Sequence, residues 1–166
     1  MRDLFPALQY FEQLTKTNKL ARKYGFHPCL CSGPDSLQGI IEGMKKKTAF
    51  VMVDDTTSQQ TFGNGVGFFR RDVYTVFVLM TYRFDDMVER EEHLNICRQL
   101  FRQLHSRMLH DRDEMGDERL TFLNLTNIYS TELPRYSYQG LTGLYFMVQN
   151  EEPIDISYDT TQWAEP

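Results

Sequence analysis

Between Asp86 and His110 the apolar residues fall on a single helical stripe. Met87, Leu94, Cys97, Phe101, Leu104 and Met108 are spaced by 7, 3, 4, 3 and 4 residues, and Val88, Leu100 and Leu109 widen the stripe. Glu91, Glu92, Arg98, Arg102 and Arg107 take the opposite side. Asp86 stands at the N-cap position, and Glu89 completes a capping-box-like start. A helix this long with one apolar face must lie on another layer, and the flanking segments say which kind.

Those segments change to strand character. Ala49–Val53 is a short apolar run ending in Asp54-Asp55, and Phe68–Phe84 contains the β-branched and aromatic stretch Val73–Tyr82. Gly63-Asn64-Gly65-Val66-Gly67 lies between them, and Asn-Gly is the turn signal for a type I′ hairpin. The spacing predicts a long hairpin whose tip carries Phe62, Phe68 and Phe69 beside Arg70 and Arg71. Two further strands are predicted over Leu120–Leu133, closed by Pro134, and over Tyr138–Gln149, with an added edge strand over Ile154–Trp163. Asp111–Arg119 reads as a polar connection.

At the other end of the chain, Leu4–Tyr24 reads as an amphipathic helix with Pro6 in its first turn and Gly25 after its end. Phe26–Gly33 reads as an extended connection, and Pro34–Met44 as a short helix weakened by Gly39 and Gly43. The expectation is an α+β fold. It has a largely antiparallel or mixed sheet with a long hairpin, one face covered by the N-terminal helix and the long central helix. The other face, or the hairpin, is left to meet solvent or a partner.

The chain has 166 residues, 41% of them hydrophobic and 25% charged, which suits a single domain over residues 1–166 with one core. Disorder and a disulfide scaffold are excluded, and no run approaches the roughly 20 apolar residues of a membrane span. Met1–Pro6 lacks the basic-then-apolar pattern of a signal peptide, so a cytosolic protein is expected. The formal net charge is −5. Glu151, Glu152, Asp155, Asp159 and Glu165 make the segment 151–166 acidic, with no Lys or Arg, and the rest of the chain is neutral. A net basic face of the kind that coats nucleic acid is therefore not expected.

Few residues propose chemistry. His27, Cys29 and Cys31 are three soft ligands within five residues. Cys-x-Cys is tighter than the usual zinc spacing and no second pair follows, so reduced cysteines are favoured and a metal stays open. Gly63, Gly65 and Gly67 superficially match a phosphate loop, but a strand follows where such loops open a helix. Asp54-Asp55 and Asp85-Asp86 could act as paired carboxylates, although strand ends and caps attract Asp anyway. His93, His105 and His110 lack the i, i+4 spacing of a metal pair, and Asn124-Leu-Thr126 fits a glycosylation acceptor by letter only. No nucleophile elbow, Walker loop or Ser–His–Asp order is present. The aromatic and Arg-rich hairpin tip has an interface composition, and the alternative is that Phe68 and Phe69 turn into the core.

The element order, the stretch Val73–Leu109 with Tyr82-Arg-Phe-Asp-Asp86 at its strand–helix junction, and the closing stretch Glu132–Tyr145 resemble the tail terminator and neck, or head–tail joining, proteins of long-tailed bacteriophages. The resemblance implies a non-enzymatic virion protein, a ring homo-oligomer that is often a hexamer. It would cap the tail tube and face the head connector, with no cofactor, no direct nucleic-acid contact and no membrane. Contacts between subunits are expected at the tip (Phe62, Phe68, Phe69, Arg70, Arg71), the basic run (Lys45, Lys46, Lys47) and the acidic strip (Glu151, Glu152, Asp155, Asp159). The strip of one subunit would meet Lys45–Lys47 or Arg70–Arg71 of its neighbour, and reversing Arg70 and Arg71 is expected to disrupt assembly without unfolding the chain. A different neck or head-completion protein fits the same residues. The competing class is a small enzyme or ligand-binding domain with a pocket joining His27, Cys29 and Asp54.

Overall fold

The computed structural model describes residues 5–164. It is an α+β fold built on one six-stranded mixed sheet, ordered β1-β2-β4-β6-β5, with β3 paired to β4 beyond the end of β2. The expected fold class is correct in each of its parts, including the covering N-terminal helix and the long central helix.

The predicted first helix is two helices, α1 (Ala7–Thr17) and α2 (Lys19–Lys23). Asn18 breaks it: its backbone is extended and its Oδ1 accepts from the Ala21 N–H at 2.8 Å, so it caps α2. An Asn can cap itself out of a helix in this way, and the apolar periodicity across residue 18 gives no warning of it. Pro6 is the residue before the helix rather than within its first turn. Leu4, the predicted first residue, lies outside the described residues, as does Glu165.

The extended connection is strand β1 (Phe26–Cys31), parallel to β2 (Ala49–Asp54), and the crossover carries the short helix α3 (Leu37–Gly43). β3 (Ser58–Gly63) and β4 (Phe68–Thr81) form the predicted hairpin, with Phe62 opposite Phe69 and Gly63 opposite Phe68. Its turn differs from the predicted type. Only Gly65 has positive φ (+85°), while Asn64 Oδ1 accepts from the Val66 N–H at 3.1 Å and the Asn64 N–H donates to the Gly67 carbonyl. The loop is an Asx turn of four residues rather than a two-residue I′ turn.

The long helix α4 runs Met87–Asp113, longer than expected. Asp86 caps it by accepting from the Glu89 N–H at 2.9 Å. Glu89 does not return to Asp86; its Oε2 accepts from the Arg83 N–H at 2.8 Å, so the box closes around the preceding turn. Leu94, Cys97, Leu100, Leu104 and Met108 are buried, whereas Met87 and Val88 on the first turn are exposed. β5 (Leu123–Glu132) is an edge strand with a register shift between Asn124 and Tyr129. β6 (Leu141–Ile154) is longer than predicted and lies between β4 and β5. Residues 155–159 form no strand, so the expected edge strand over Ile154–Trp163 is absent.

Two cores flank the sheet. α1 and α4 cover one face, where Phe11, Val51, Val76, Val78, Leu100, Leu104 and Phe146 join one cluster. On the other face α3 covers a smaller cluster of Leu37, Phe50, Met52, Phe77, Leu79 and Leu141, so that face is not wholly open as expected. Its remainder holds half-buried Thr75, Tyr145, Met147 and Gln149 and exposed Tyr129. Gly143 in β6 has φ +134°, and a Cβ there would lie 2.1 Å from the Val78 carbonyl oxygen. That position admits only glycine.

Candidate functional site

β3, the first six residues of β4 and the last six of β6 pair as a three-stranded arm of the sheet, which β5 flanks only as far as Asn150. β4 carries Arg70, Arg71 and Asp72 in succession, and the alternation of a strand sends Arg70 and Asp72 to one face and Arg71 to the other. The register places Arg70 opposite Glu152 and Arg71 opposite Glu151. Arg70 bonds Glu152, and its Nε donates to Asp72 Oδ2 at 3.0 Å. Asp72 is fully buried, and its other oxygen has no partner among the described residues. On the opposite face Arg71 Nε donates to Glu151 Oε1 at 2.6 Å, and its guanidinium lies 4.8 Å from the centre of the Phe62 ring, which stacks on Phe69.

The acidic segment is therefore two things. Glu151 and Glu152 belong to β6 and neutralise Arg71 and Arg70 within the chain, so these four charges are not left for a neighbour. Only Asp155 and Asp159, among the described residues of the segment, project in an exposed tail. Asp155 Oδ1 accepts from the Ser157 N–H and hydroxyl, and Asp159 Oδ1 from those of Thr161. These hydrogen bonds, the hydroxyl ones foremost, hold both carboxyls below their ordinary range. Phe68 is exposed and Phe69 stacks on Phe62, and neither enters the core. Lys45, Lys46 and Lys47 are exposed after α3, on a shallow groove that also includes His27 and Met44.

His27, Cys29 and Cys31 alternate along one face of β1, so successive members are about 7 Å apart along the strand. Burial raises the Cys29 thiol, and burial with Asp54 nearby raises Cys31 to about 12, the reverse of what a thiolate ligand needs. Among the described residues no three His, Cys, Asp or Glu side chains are placed to hold a metal. The groove beside His27 is lined by neither Cys29 nor Asp54. Asp54 instead braces its own turn, accepting from the Thr56 N–H at 2.9 Å and the Gly33 N–H at 3.2 Å. His93 and His105 donate ring N–H groups to the carbonyls of Thr81 and Leu125, which fixes them as structural.

One cluster has no counterpart in the sequence reading. At the end of the sheet opposite the arm, the Arg135 guanidinium sits 5.0 Å from the Phe84 ring centre and 5.3 Å from that of Tyr136. Its Nη2 donates to the Phe84 carbonyl, its Nε is buried without a partner, and it pairs with no carboxylate among the described residues. Exposed Met87 and Val88 follow on the first turn of α4. Phe84 and Arg135 are 51 positions apart, and only the sheet register joins their loops. The composition of the Arg135 loop was visible, but nothing local marked its aromatic partner.

No protein-family model matches the chain, and neither does any curated protein. Among the described residues, no helix is long and apolar enough to cross a membrane.

Proposed function

We propose that the chain is a structural protein that works by assembling with copies of itself and with partner proteins, and that it performs no catalysis. More particularly, it is read as a tail terminator of a phage or prophage: a ring subunit that closes on the tail tube and faces the head connector. Another neck or head-completion subunit belongs to the same class and differs only in the partner it meets.

The observation that carries this reading is the three-stranded arm. Its β3 edge, Ser58–Thr61, is exposed over four successive residues and bears no charge and no proline. The other edges are interrupted, β1 by Pro28, β5 by its register shift, and the short edge of β6 beyond β5 by Pro153. Free edges invite strand pairing unless a charge, a proline or a bulge blocks them, so an arm that omits all three suits a protein made to join others. The resemblance in element order points the same way. Mass photometry of the purified chain, alone and with a tail-tube protein, tests the reading. A ring-sized species is expected, and a monomer in both mixtures overturns it.

A further inference from the structure

Two unpartnered features at opposite ends of the molecule complement each other. One is the Arg135 clamp, a cation against the rings of Phe84 and Tyr136 that pairs with no carboxylate among the described residues, with exposed Met87 and Val88 following Phe84 in the chain. The other is the tail after β6, which carries exposed Ile156, Tyr158 and Trp163, the last two stacked 6.1 Å apart, with Asp155 and Asp159 between and before them. Neither aromatic residue of the tail belongs to the two cores, and both are largely exposed.

We infer that the tail of one copy docks on the Arg135 clamp of the next, with Asp159 meeting the guanidinium and Tyr158 or Trp163 packing on Phe84, Tyr136 and Met87. The inference rests on the self-assembly reading above and names the contact that would build it. An Arg already oriented by two aromatic faces loses little freedom on binding a carboxylate, and aromatic and Arg side chains are the ones that dominate interface energies. The contact cannot form within one chain. β6 spans about 43 Å at the rise of a strand, and the tail leaves from its far end. The nine residues from Ile154 to Trp163 reach about 30 Å when extended. A tail that must bind a different copy, at a surface unlike itself, makes a head-to-tail contact, the kind that closes rings.

Trp163 is the only tryptophan of the chain, so its emission reports the tail alone. In the full chain, rising concentration should shift that emission to the blue as copies associate in sedimentation velocity. Arg135→Glu should abolish the shift and weaken association by about tenfold or more, and Trp163→Ala, in an exposed position, should weaken it comparably without touching the fold. The double variant Arg135→Glu/Asp159→Arg should restore association through the swapped pair. Association unchanged in Arg135→Glu and in Trp163→Ala overturns the docking and leaves the ring reading standing. If the natural chain stays monomeric, the ring reading falls. A fluorescent peptide of residues 155–164, added to the full chain, then decides the contact alone. Binding that Arg135→Glu removes supports it, and no binding overturns it.

Discussion

The Tyr10 hydroxyl donates a 2.8 Å hydrogen bond to Asp111 Oδ2, tying α1 to the last turns of α4 across 101 positions of chain. Both side chains are buried, and Asp111 also accepts from Arg107 Nε at 2.6 Å. The chain between them includes the whole hairpin and most of the sheet, so this bond fastens the two helices of the covering layer to each other. Tyr10→Phe keeps the ring packing and removes only the bond. It should lower stability by about 1–2 kcal/mol in urea unfolding. Burial first, then the bond to Asp111, raises the Tyr10 phenol far above its usual 10.0. Its contribution is therefore intact below pH 10 and declines as pH rises above that value. In an alkaline absorbance titration the natural chain and Tyr10→Phe should ionise the same number of tyrosines before unfolding, and the natural chain should gain one more as it unfolds.

Arg70 and Arg71 are adjacent but should respond differently to reversal. Arg70→Glu puts a third acid against buried Asp72 and Glu152 and should cost about 3–5 kcal/mol, so it unfolds the arm rather than testing assembly. Arg71 and Glu151 are each about one-third exposed, and Arg71→Glu should cost about 1 kcal/mol or less. Thermal unfolding of the two variants side by side measures the difference. The strand register pairs Arg70 inside the chain, so reversal there is expected to cost the fold as well as any assembly contact, whereas reversal at Arg71 is expected to spare it.

Gly143→Ala should be among the most damaging single substitutions. Its methyl would overlap the backbone of Val78 and Leu79 at the central strand pair, where no flexible side chain can give way. A loss of about 3 kcal/mol or more is expected by denaturant unfolding, with Gly39→Ala, which meets open space on α3, as the mild control.

The thiols should be sluggish. Burial raises Cys97 to about 12, and Cys31 reaches about 12 through burial with Asp54 beside it. At about pH 8 neither forms much thiolate, so alkylation followed by mass spectrometry should modify half-buried Cys29 first and the other two only on unfolding. Rapid modification of Cys97 in the native protein would contradict its place on the buried face of α4.

On the acid side, Arg98 holds the Glu132 carboxyl below its ordinary 4.5, and Arg119 holds Asp117 below 3.8, in each case chiefly by a side-chain hydrogen bond. Stability from these pairs is present above those values and is lost as pH falls through the lowered ones. Urea midpoints between about pH 6 and about pH 3 should decline less steeply in Glu132→Gln. The pairs are partly exposed to solvent, so the change is small.

Local pattern made α4, β2, β4 and the hairpin legible, because periodicity and turn residues act over a few positions. What escaped depends on distance in the chain or on single polar atoms. Asn18 ends α1 through one side-chain oxygen. Glu151 and Glu152 read as a tail because their partners lie 80 and 82 positions away. The same holds for Arg135 and Phe84, whose meeting depends on where two separate loops leave the sheet. The tip was foreseen as an aromatic and basic patch, but its cations turned out to be internally balanced.

That balance divides one sheet into two regimes. Under the helices it is held by apolar contact, which added salt does not weaken. In the arm, ion pairs add to the strand hydrogen bonds: Arg70 is sealed with Asp72 and Glu152, while Arg71 and Glu151 stay about one-third exposed. Mobile ions screen the exposed pair and barely reach the buried one. Added salt should therefore leave both body and arm folded, and amide exchange along Ser58–Gly63 should quicken only slightly. The limb carries one ion pair open to the surrounding electrolyte and one closed to it.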